Sequence, residues 1–72
     1  MKVDSRAAGD RIIFRNFIVV PKKDTYFSVY EKSLFYDEPS GPEITHGETL
    51  HAACKKAKLL QIGYNICREN SY

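Results

Sequence analysis

Seventy-two residues, 28% of them charged, make one small domain rather than two. A formal net charge of +2 is too slight to imply a nucleic-acid partner by itself, and two cysteines outside any C-x-x-C pair exclude a disulfide framework or a zinc ribbon. The polar start Met1-Lys2-Val3-Asp4-Ser5-Arg6 and the lack of a long apolar run leave no signal peptide or membrane span, so the expectation is a cytoplasmic protein with free thiols.

The charge is segregated along the chain. Residues 1–23 hold six basic side chains against two acidic, residues 24–48 hold one against six, and residues 49–72 hold four against one. Residues 1–10 are polar and aperiodic, and they read as a flexible N-terminal arm. Residues 11–72 then form a single small α+β domain.

From Arg11 to Glu31 two runs rich in β-branched and aromatic residues flank Pro21-Lys22-Lys23-Asp24, a hairpin signal. Pairing Val20 with Thr25 around that four-residue loop sets the register. One face then carries Ile12, Phe14, Asn16, Ile18, Phe27, Val29 and Glu31, and it is expected to be the core. The other carries Ile13, Arg15, Phe17, Val19, Tyr26, Ser28 and Tyr30, aromatic but polar-tipped and suited to partial exposure.

Leu34-Phe35-Tyr36 either extends the second strand or, after a tight turn at Lys32-Ser33, forms a third short strand, the reading preferred here, and Asp37-Glu38-Pro39-Ser40-Gly41-Pro42 reads as a plain loop. Beyond it the pattern turns helical. Thr45 with Glu48 fits a capping box, but that start would place Gly47 inside the first turn, so Thr49 is the expected N-cap. Leu50, Ala53, Cys54, Ala57 and Leu60 recur on one helical stripe. Gly63 is expected to end the helix at Ile62, although Ala53, Ala57, Leu60, Tyr64 and Cys67 keep a spacing that would carry it further.

The expected architecture is α+β: a small antiparallel β-hairpin or three-stranded meander packed by one helix, β-β-(β)-α. In layout it is similar to the three-strand-plus-helix domains of DNA-binding integrase arms and to small phage-type accessory proteins. A short, motif-free chain of this kind is also similar to accessory or regulatory proteins of phages and mobile elements. Such a layout hosts unrelated functions.

Chemistry is sparse. His51 and Cys54 stand at i and i+3, with His46 and Cys67 elsewhere, but zinc needs tighter paired ligands, so no metal and no cofactor is expected. Cys54, His51 and Glu48 lack a strained elbow or an oxyanion loop, and Asp37 and Glu38 sit in an open loop. The four glycines are scattered rather than grouped in a phosphate cradle. The expectation is therefore a non-enzymatic protein.

Two binding functions remain. The first is an interaction module that presents Ile13, Arg15, Phe17, Tyr26 and Tyr30 to a protein partner, a second copy included, since monomers rarely leave such a patch bare. The second is a nucleic-acid binder using Arg15, Lys22 and Lys23 with the helix lysines Lys55, Lys56 and Lys58. What separates them is whether those two basic groups fall on one side of the fold.

Overall fold

A computed structural model describes residues 3–23 and 25–69. It shows β1 (Ser5–Ala8), β2 (Arg11–Phe14), β3 (Phe17–Lys22), β4 (Tyr26–Lys32), β5 (Pro39–Gly47) and α1 (Leu50–Glu69). The five strands form one antiparallel meander in chain order, with the helix packed against it. The α+β class and the single covering helix are those read from the sequence. The strand count is not.

The segment read as an arm supplies β1 and its turn; Met1 and Lys2 lie outside the described residues. Gly9 closes that turn at φ +65°, a conformation that two-residue hairpins require and glycine adopts without strain. The long run Arg11–Val20 is broken at Arg15-Asn16, which turns β2 back onto β3 so that Ile13 pairs with Ile18. At the next turn Lys22 pairs with Tyr26, and Val20 therefore meets Ser28 rather than Thr25. Against the expected register this is a slip of three residues. An odd slip exchanges the two faces of β3 relative to β4.

The helix-facing core consequently contains Phe14, Phe17, Val19 and Val29, with Ile12 and Phe27 packed at its margin. Phe17 and Val19, expected on the partly exposed face, lie in the core; Ile18, expected in the core, lies on the opposite face. Ile13 and Ile18 are nevertheless buried. Arg6 from β1 bonds the Asp37 carboxylate, and Arg11 from β2 donates to the Asp37 carbonyl at 3.3 Å. Both links reach from one side of the sheet to the β4–β5 connection, so the sheet coils and a polar strap crosses the row Arg6–Ile13–Ile18–Tyr30.

Leu34-Phe35-Tyr36 is no strand but the tip of the β4–β5 connection. The strand is instead Pro39–Gly47, expected to begin as loop. Two prolines are tolerated there because β5 is an edge with one neighbour, and its pairing slips between Val29 and Glu31. Gly41, at φ +77°, lies in that irregular stretch.

Thr49 caps the helix as expected, its Oγ1 accepting the Ala52 amide at 3.1 Å. Ala53 and Ala57 are fully buried, whereas Cys54 and Leu60 are half-buried and Leu50 is exposed. Small side chains let α1 come close to β5: a Cβ on Gly47 would lie 2.5 Å from the Ala53 nitrogen. The helix does not stop at Gly63 but runs on to Glu69. Gln61 explains the extension. It is 2% exposed, accepts the Asn16 amide at 2.8 Å and donates to Asn16 Oδ1 at 2.8 Å and Asn65 Oδ1 at 3.0 Å. Phe17 and Tyr64 meet edge to face, 6.2 Å between centroids. Contacts on both sides of Gly63 outweigh its helix cost of roughly 1 kcal/mol.

Candidate interaction surface

The face of the sheet away from α1 is set by the rows Lys22–Tyr26, Val20–Ser28–His46 and Ile18–Tyr30. Lys22 lies over the Tyr30 ring, Nζ 5.1 Å from its centroid. A hydrogen bond to the Tyr30 hydroxyl, reinforced by the charge around it, raises the Lys22 ammonium above the usual lysine range. Tyr26 meets His46 edge-on at 5.4 Å. Buried Ser28 donates its hydroxyl to Glu43, whose other carboxylate oxygen lies 3.8 Å from His46 Nδ1. Serine, acid and imidazole are thus adjacent, but the carboxylate occupies the middle. Ser28 is bonded to Glu43 and not to the imidazole, so the arrangement lacks the serine–histidine contact of a nucleophile and its base.

The structure brings together only part of the residues expected to meet a protein partner. Ile13, Tyr26 and Tyr30 share this face, with Ile13 buried in it. Phe17 is a correction: it faces the helix at 7% exposure because the Arg15-Asn16 turn and the three-residue slip invert β3. Arg15 is not on a strand face; it sits exposed in the β2–β3 turn beside Asn65, Arg68 and Glu69 at the end of α1.

The six basic residues of the nucleic-acid reading are not brought together. Lys22 projects from the face opposite the helix, Lys23 stands in the next turn, and Arg15 lies at the other end of the strands. Lys55, Lys56 and Lys58 are exposed on α1, Lys56 Nζ donating to the His46 carbonyl at 2.6 Å. Glu43 and Asp37 also lie among the cations of the open face.

Two features were invisible in the sequence. The first is the β4–β5 connection. Leu34, Phe35 and Tyr36 are 85%, 85% and 66% exposed. Their loop is closed at its base by Ser33 N–H to the Glu38 carbonyl at 2.9 Å. It is further tied by Lys32 Nζ to the Ser33 and Tyr36 carbonyls at 2.9 and 3.3 Å, and by Asp37 to Arg6 and Arg11. Three consecutive large apolar side chains on a bonded loop are unlike the scattered single residues that normal surfaces show. The second is a groove of about 430 Å³ between β5 and α1, lined by Ile44, Thr45, Lys56, Leu59 and Leu60. It is broad and open to solvent rather than an enclosed pocket.

Cys54 and Cys67, both on α1, are free, the first half-buried and the second exposed. Among the described residues, no group of three or more His, Cys, Asp or Glu side chains is placed to hold a metal ion. No described helix is long and apolar enough to cross a membrane. Set beside models of protein families, curated proteins and solved structures, the chain matches none.

Proposed function

We propose that this chain is a small non-enzymatic interaction module that docks on a protein partner through the Leu34-Phe35-Tyr36 loop, with Tyr30, in the sheet row that the Asp37 strap crosses, as its polar rim. The carrying observation is the exposure of those three side chains on a loop whose backbone is held by its own hydrogen bonds. Leaving them in water forgoes roughly 1.5–3 kcal/mol of burial for each fully covered large apolar group. A partner pocket that covers them recovers it, and a loop already shaped in the free chain loses little entropy on docking. A wet, aromatic rim suits Tyr30, whose ring can be covered while its hydroxyl stays polar-paired.

The test is a paired capture from cells of origin, with the wild type and Leu34→Ser/Phe35→Ser as baits. Both side chains are exposed, so the double variant keeps its fold and circular dichroism checks it. A protein retained by the wild type and lost from the variant supports the reading. Equal retention by both baits overturns it.

One observation favours nucleic acid as a second reading: Lys22, Tyr26 and Tyr30 share the open face with Arg11, a cationic and aromatic set. Glu43 and the Asp37 strap interrupt its field, which is why a protein partner is preferred. Fluorescence anisotropy with labelled duplex and single-stranded DNA at two salt concentrations decides. Salt-sensitive binding lost on Lys22→Ala would favour the nucleic-acid reading.

A further inference from the structure

We infer that the hollow at the end of the sheet beside the loop is an anion site, and that it takes the carboxylates of an acidic segment of the protein partner. This rests on the reading of Leu34-Phe35-Tyr36 as a docking element and gives the partner its charge. The hollow measures about 380 Å³ and is partly enclosed, and its walls come from three elements: Arg15 and Asn16 of the β2–β3 turn, Lys32 and Leu34 where β4 leaves the sheet, and Tyr64 and Arg68 of α1. Those elements are tied to one another. The Asn16 carbonyl accepts the Lys32 amide at 2.9 Å, and the amide and side chain of Asn16 are bonded to Gln61, which also reaches Asn65. The cations therefore stand on a fixed floor, and an anion that meets them costs little ordering of the backbone.

The charged lining is wholly cationic. Among the described residues, none of Arg15, Lys32 and Arg68 is ion-paired. Arg15 and Arg68 are exposed and also border an adjoining hollow with Glu69, which pairs with neither. The Lys32 ammonium gives two of its three N–H groups to the Ser33 and Tyr36 carbonyls, neutral partners that leave its charge uncancelled. Asp37 of the loop is already bonded to Arg6. A guanidinium fork matches a carboxylate through paired N–H···O bonds, so the two arginines suit that ligand. A protein segment is favoured over nucleic acid for two reasons. The cations meet at one hollow walled by Leu34 and Tyr64 rather than along a track, and Glu69 beside the arginines interrupts any run of phosphates. Leu34 belongs to both loop and hollow, so a partner chain that covers the loop is led to Arg15 and Arg68.

The experiment is an NMR amide-shift titration of the full chain with a short oligoglutamate peptide, set against oligolysine and single-stranded DNA of equal length. Oligoglutamate should move the amides of Arg15, Asn16, Lys32, Tyr64 and Arg68, and oligolysine should not. Arg15→Gln and Arg68→Gln change exposed side chains and should keep the fold by circular dichroism. Each should weaken oligoglutamate binding about tenfold, the loss expected of one charge-assisted hydrogen-bonding partner. Lys58→Gln, at a residue lining a different hollow, should leave it unchanged. No shift, shifts centred on Lys55, Lys56 and Lys58 instead, or tighter binding of DNA at the same amides overturns the inference. Capture gives the second readout. A protein held through the loop should also be lost from an Arg15→Gln/Arg68→Gln bait, and full retention by that bait overturns the anion site while the loop reading stands. Equal retention by the Leu34→Ser/Phe35→Ser bait instead overturns the loop reading, and the titration still decides whether the hollow takes carboxylates.

Discussion

A glutamine within an amphipathic helix would ordinarily face water, yet Gln61 is buried and holds the β2–β3 turn through the Asn16 amide and side chain. Its spacing, four residues after Ala57 and eight after Ala53, puts it on the buried stripe, but only the turn beneath it shows what its amide meets. Gln61→Leu keeps the volume but leaves the Asn16 amide unpaired. It should cost about 1–3 kcal/mol in urea unfolding, and a loss below about 0.5 kcal/mol, the ordinary range for surface changes, would show that water replaces the bond. The thiols give a second residue-scale expectation. Burial raises the Cys54 thiol above its ordinary range, whereas Cys67 is exposed. A thiol reagent should therefore label Cys67 first at neutral pH, with Cys54 catching up as the solution becomes more alkaline or the chain unfolds. Equal native rates at neutral pH would contradict the burial.

At the scale of elements, the helix and its Thr49 cap were legible because apolar spacing and the cap act locally. The sheet was legible only in part. Ala8-Gly9-Asp10-Arg11 and Phe14-Arg15-Asn16-Phe17 are two-residue hairpins hidden in runs that read as an arm and as one long strand. The irregular pairing of β5 lets Pro39–Gly47 pair despite its loop-like composition. Missing the Arg15-Asn16 turn and slipping the next turn by three residues put Phe17 on the wrong face, and with it the candidate surface. The two glycines near α1 make opposite predictions. Gly47→Ala drives a Cβ into the Ala53 backbone and should destabilise by about 1–3 kcal/mol or more. Gly63→Ala adds a methyl with nothing within 4 Å of it and should stabilise by about 0.5–1 kcal/mol. Thermal melts at low protein concentration compare them, and the same sign for both would mean that α1 does not approach β5 as closely as described.

For the whole molecule, the apolar side chains divide into those that hold sheet to helix and those left in water on the β4–β5 connection. Phe17 lies between sheet and helix, whereas Phe35 stands in water. Phe17→Ala should cost about 3–5 kcal/mol in urea unfolding and leave so small a domain largely unfolded. Phe35→Ala should fall within about 0.5 kcal/mol of wild type at low concentration. A reversed ranking would place the loop in the core and remove it as a contact element. The Arg6–Asp37 link is exposed and adds little to stability by itself; its consequence is to hold the base of the loop against β1.

The most direct measurement of the central claim places a photo-reactive phenylalanine analogue at position 35, with the same analogue at exposed Lys58 as the control, and irradiates cells of origin expressing each. The account predicts a discrete protein adduct from position 35 that position 58 does not give. No protein adduct specific to position 35, or adducts to nucleic acid in its place, would contradict it.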